Sequence, residues 1–151
     1  MRTIRNALLI GLTAFVISQA RSEDTKAAKK DTAQLQGEWA MSTGGRDGHT
    51  LPGDMLKNSK RVCKGDETTV VVGGQLLMKA KFTLDPSKKP KSIDYQITGG
   101  ANAGKTQLGI YELDGDTVKF CFSTPGKDRP TDFATKAGDG HTSSVWKREK
   151  K

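Results

Sequence analysis

The chain has 151 residues with 25 basic against 17 acidic side chains, a net charge of +8, and that length supports one hydrophobic core rather than two. Seventeen glycines and no long stretch of helical periodicity argue against a helical bundle and for an all-β domain. The basic residues lie among acidic ones and are not interleaved with stacking aromatics, which argues against a nucleic-acid partner.

Residues 1–20 read as a signal peptide. Arg2 and Arg5 supply positive charge, residues 7–17 an apolar stretch, and Ser18-Gln19-Ala20 a small-x-small site, so cleavage near Ala20 and export to a periplasmic or secreted location are expected. The stretch is too short to cross a bilayer and no comparable run follows, so no membrane span is expected. Without Arg2 and Arg5 the charge of +8 falls to +6. Residues 21–33 are charged, Ala-rich and free of large apolar groups, and read as a disordered lead-in with a frayed helical turn at most.

The domain itself is expected over residues 34–149. A founding strand spans 35–43, with Leu35, Trp39 and Met41 on one face and Gly37 clearing room for the Trp39 ring. A short helical turn follows over 51–57, where Pro52 and Asp54 suit a helix start. Residues 60–64 and 68–72 read as the next two strands, separated by Gly65-Asp66. A Gly73-Gly74 turn would then set Val72 against Gln75, Val71 against Leu76 and Thr69 against Met78. In the following strand Leu76, Met78, Ala80, Phe82 and Leu84 alternate with a mostly polar face.

Pro86 and Pro90 end that strand, and Ile93, Tyr95 and Ile97 mark one face of the next. Residues 106–113 and 117–123 form a hairpin in which Val118, Phe120 and Phe122 share a face. A two-residue turn would put Tyr111 opposite Val118 and a three-residue turn Ile110, so the inward set of the first arm stays open. A constrained loop covers 125–133 and a last strand 142–148. The strands suit one up-and-down antiparallel β-barrel of about eight strands, in which closure removes exposed edges.

Gly99 to Thr106 matches the phosphate-cradling pattern GxxxxGK[ST], but that mechanism needs a helix after Lys105, and the continuation reads as a strand. His49 and His141 lie in loops rich in Gly and Asp, and Asp114 and Asp116 flank a turn glycine, so no catalytic residues are assigned. A zinc site would require His49, Cys63, Cys121 and His141 to converge, and neither a metal nor another cofactor is expected. Cys63 and Cys121 are either bridged or two buried thiols. Arg148 on the last strand either lies over the Trp39 indole as a cation–π partner or is one more solvated charge.

Gly37-x-Trp39 on the first strand with a terminal Arg148 resembles the signature of the lipocalin-like calycins. Leu35-Gln36-Gly37-Glu38-Trp39, Leu84-Asp85-Pro86, Gly104-Lys105-Thr106, Arg129-Pro130-Thr131-Asp132-Phe133 and Lys147-Arg148-Glu149 further resemble landmarks of a planctomycetal lipocalin-like domain family. That family consists of small exported proteins of unknown function. The resemblance runs over about residues 34–149 and implies a barrel, a structural role for Gly37, Trp39 and Arg148, and a plain turn at Gly104-Lys105-Thr106. It carries no activity with it, and Cys63 departs from a usually apolar position.

The inward candidates are Trp39, Met41, Val71, Leu76, Met78 and Phe82 from the first half and Ile93, Tyr95, Tyr111, Phe120 and Phe122 from the second. Of these, Trp39, Met41, Met78, Phe82, Tyr95, Tyr111, Phe120 and Phe122 are the expected ligand-binding residues. The expected function is that of a monomeric, non-enzymatic binding protein holding a small apolar or amphipathic ligand. The alternative is a module with a packed core that meets envelope polymers or proteins through basic loops.

Overall fold

The computed structural model describes residues 25–150; the expected signal peptide over 1–20 lies outside the described residues. The first described element is a helix, α1, over residues 25–35. Over residues 25–33 this corrects the reading of a disordered lead-in. Lys26, Ala27, Ala28, Lys29 and Lys30 are good helix formers, and α1 buries Leu35 and Asp31 against the barrel. The Asp31 carboxylate accepts hydrogen bonds from the Tyr111 hydroxyl at 2.7 Å and from Lys91 Nζ at 2.9 Å, so a single acidic residue anchors the helix to two strands.

The strands are β1 (Gly37–Arg46), β2 (His49–Thr50), β3 (Lys60–Lys64), β4 (Glu67–Val72) and β5 (Gln75–Asp85). They continue with β6 (Lys91–Gly100), β7 (Thr106–Asp114), β8 (Thr117–Phe122) and β9 (Thr142–Arg148), and a short helix α2 (Gly53–Lys57) follows β2. The long strands pair antiparallel in chain order, and β1 pairs with both β3 and β9. The sheet is therefore a closed eight-stranded barrel, with β2 as a short addition to the end of β1. Closure brings Trp39 opposite Arg148.

Three irregularities in the ladder decide which side chains face inward. The Gly73-Gly74 turn pairs Val72 with Gln75 and Val71 with Leu76 as expected, but Leu77 is then extra, so that Val70 and not Thr69 faces Met78. A bulge of this kind puts two residues of one strand against one of its partner and tightens the local twist. Val71 and Leu76 are consequently not core: Leu76 is 48% exposed and Leu77 55%, while Val70 is buried. A second bulge follows Met41 in β1 and a third lies between Lys79 and Ala80 in the β5–β6 pairing.

The β7–β8 turn is Gly115-Asp116, which pairs Leu113 with Val118 and Tyr111 with Phe120. Neither register expected from the sequence forms, yet Tyr111 keeps its inward place because the shift from the two-residue alternative is even. After Gly100, residues 101–104 turn directly into β7. Without a helix there, the amide cradle that a phosphate loop requires is not built.

Among the glycines that close approach or conformation requires, two lie at the barrel wall beside landmark side chains. Gly37 has φ of +112°, a region L side chains rarely adopt, and a Cβ there would meet Arg148 Nη1 at 3.4 Å. Its role is thus conformational, since 3.4 Å is ordinary van der Waals contact; no Trp39 atom lies within 4 Å of that position, and the expectation that it makes room for the Trp39 ring is corrected. Gly109 lies under the Phe122 ring, where a Cβ would come within 2.3 Å of the ring edge.

Candidate functional site

The inside of the barrel divides into a filled half and a hollow one. At the closed end Trp39, Phe82, Leu84, Ile93, Tyr111 and Phe120 are all buried, and α1 lies across the end with Leu35 and Asp31 buried. The Trp39 indole donates to the Leu35 carbonyl at 2.9 Å. Arg148 Cζ lies 4.3 Å from the centre of the Trp39 ring, and its guanidinium donates to the carbonyls of Gln36 at 2.6 Å and of Gln34. Arg148 is therefore a structural clasp across the closure seam and not a solvated tail charge.

Toward the other end several inward positions carry smaller side chains. Gly44, Val70, Thr142 and Ser144 occupy them, and side chains of that volume cannot fill the bore of an eight-stranded barrel. A cavity of about 390 Å³ results, within the range of roughly 300–1,000 Å³ typical of small-molecule sites. Leu51, Asn102, Lys105 and Pro125, from the loops and turns at that end, and Leu77 at the start of β5 also line it.

Four of the eight expected ligand-binding residues, Met41, Met78, Tyr95 and Phe122, line this cavity. The other four, Trp39, Phe82, Tyr111 and Phe120, are not on its wall; they pack the closed half as core, which corrects their assignment. Parity along a strand identifies inward residues but not depth, and depth separates the two groups.

Sequence reasoning missed Arg61, the residue that dominates the cavity. It is on β3, whose inward positions are Arg61 and Cys63 while Val62 faces out. Arg61 is buried and lines the cavity. Its Cζ lies 4.4 Å from the Phe120 ring centre and 4.8 Å from that of Trp146. Nη1 donates to the Tyr95 hydroxyl at 2.7 Å and to Thr68 Oγ1 at 3.1 Å.

Among the described residues no carboxylate forms a salt bridge with Arg61. Its Nε is buried with no hydrogen-bond partner. The other such atom, Asp94 Oδ1, is 2.7 Å from Arg129 Nη2 and so has an opposite charge beside it. Burying an unpaired ion costs several kcal/mol, and two aromatic faces and two neutral hydroxyls return only part of that. The charged residues on the cavity wall are Arg46, Arg61 and Lys105, with no Asp or Glu.

Tyr95 has its hydroxyl held well above the usual phenol range by burial, against the opposing influence of the Arg61 charge. It accepts from Arg61, and among the hydrogen bonds of the described residues it donates none. Both cysteines are free and buried. Cys63 faces the barrel interior, where its thiol donates to Thr68 Oγ1 at 3.5 Å. Cys121 alternates with the inward Phe120 and Phe122 and so faces out, and burial followed by the nearby Asp139 and Asp132 charges pushes its thiol up to about 11. His49 is exposed on β2, and His141 Nδ1 lies 3.6 Å from Asp139. Among the described residues no group of three or more His, Cys, Asp and Glu side chains is placed to hold a metal.

Fold and cavity together define a closed antiparallel β-barrel with one plugged end and one hollow end. No family model, curated protein or solved structure matches the chain.

Proposed function

We propose that this chain is an exported, non-enzymatic binding protein that carries one small apolar or amphipathic molecule in the open half of its barrel. The observation that carries this reading is the cavity of about 390 Å³, whose walls include Met41, Val70, Met78, Ile97 and Phe122. Large apolar side chains beside an unfilled volume favour an apolar occupant over water. Export is supported by the basic, apolar and small-residue order of the first twenty residues. The Gly37-x-Trp39 and Arg148 landmarks support kinship with the planctomycetal lipocalin-like domain family, since the same residues form the clasp at the barrel seam.

Native mass spectrometry of the purified mature protein tests the reading. A retained species of a few hundred daltons is expected, and adding it back to stripped protein should quench Trp146, which lines the cavity, in preference to Trp39, which does not. Protein that carries no bound mass, and whose Trp146 emission responds to no apolar compound, would leave a surface-interaction module as the better account.

A further inference from the structure

We propose that the cavity selects apolar carboxylates, bound head-inward with Arg61 as the counter-ion of the carboxylate. The inference rests on the cavity being a ligand site and goes beyond it by assigning the chemical class of the ligand. Three observations point the same way. Arg61 is a buried cation without an acidic partner among the described residues, and its Nε–H is unsatisfied. The Tyr95 hydroxyl, 2.7 Å from Arg61 Nη1, has a proton to give. The remaining charges on the wall, Arg46 and Lys105, are also positive, with no carboxylate to repel an anion.

A carboxylate accepts at two oxygens, so it can take hydrogen bonds from a guanidinium and from a neighbouring phenol at once. The Arg61 guanidinium on the cavity wall and the Tyr95 hydroxyl beside it are donors of that kind. A phosphate, with more charge and more acceptor sites, would call for further donors or a nest of backbone amides. The apolar wall formed by Met41, Val70, Met78, Ile97 and Phe122 suits the rest of the molecule. Arg46 and Lys105 add a positive field that favours entry of anions.

Dodecanoate and dodecanol, which share a chain and differ in the charged head, are the probes, with isothermal calorimetry and Trp146 emission as readouts. Dodecanoate should bind the mature wild-type protein about ten- to a hundredfold more tightly, as charge-assisted hydrogen bonds allow. Arg61→Met keeps the side-chain length without the charge and should bring the ratio to about one. Its midpoint of thermal unfolding should stay level or rise, because an apolar replacement removes a buried ion. Should that variant fail to fold, Tyr95→Phe provides the second test, with dodecanoate weakened severalfold and dodecanol unchanged. Equal wild-type affinity for both probes would overturn the carboxylate proposal and leave the cavity reading standing. A preference for dodecanoate that survives Arg61→Met would overturn the role of Arg61. Binding of neither probe would overturn the proposal and count against the cavity reading as well.

Discussion

Trp39 and Arg148 show how one pair of residues can hold a barrel shut. They face each other across the β1–β9 seam, the ring is fully buried, and the guanidinium both stacks on it and reaches two carbonyls of the chain entering β1. Trp39→Ala should destabilise the protein by about 3–5 kcal/mol, the range for aromatic truncation in a core, read by urea denaturation. Arg148→Lys should cost about 2 kcal/mol, because an ammonium does not stack as a plane and lacks the rigid donor fork of a guanidinium. A lysine variant as stable as wild type would show that charge alone suffices at the seam. This pair was legible in the sequence as one of two alternatives for Arg148, because strand order makes the ends of a closed sheet neighbours. Arg61 was not. It occupies an inward position while Val62 points to solvent, the reverse of the binary pattern that folding normally enforces, and such local inconsistencies gather at functional sites.

At the scale of elements, β-strands declare themselves by alternation, and the β-strands of the barrel, together with α2, lie close to where the pattern puts them. What alternation does not give is the place where a ladder slips. Leu77 is inserted opposite Val70 and Val71, and the slip exposes Leu76, which a regular hairpin would bury. Helix α1 escaped for a different reason: its buried side chains are Leu35 and Asp31, too few to make an amphipathic stripe. The Asp31–Tyr111 hydrogen bond should therefore matter more than the helix's composition suggests. Asp31→Ala should cost about 1–3 kcal/mol by leaving the buried Tyr111 hydroxyl without its acceptor. In a double-mutant cycle with Tyr111→Phe the two losses should fall short of additive, since both remove one bond. The single Asp31→Ala variant should also become sensitive to protease within residues 25–35. Additive losses with unchanged cleavage would mean that the helix is held by other contacts.

For the molecule as a whole, the two ends of the barrel tie stability to pH through the same chemical group. The chain has two tyrosines, and both are buried inside the barrel, Tyr95 at the cavity and Tyr111 at the closed end. Burial raises the pKa of each, and at Tyr111 the Asp31 carboxylate adds to the effect by accepting the phenol proton and by its charge. A group whose folded pKa lies above its unfolded value contributes stability that is fully present below the unfolded value, about 10 for a phenol. That contribution is lost as pH rises from there toward the folded pKa. The fold should accordingly hold up to about pH 10 as far as these groups are concerned and weaken steadily above it. In a spectrophotometric titration no phenolate absorbance should appear while the near-ultraviolet circular dichroism is native; both tyrosines should ionise together in one cooperative step as the barrel opens. A smooth titration of either tyrosine near pH 10 in folded protein would show that its hydroxyl meets water. Tyr111→Phe should leave one ionising group and move the step to higher pH only if the loss of its own linkage outweighs the loss of the bond to Asp31. The direction of that shift therefore measures which of the two effects is larger at the plugged end.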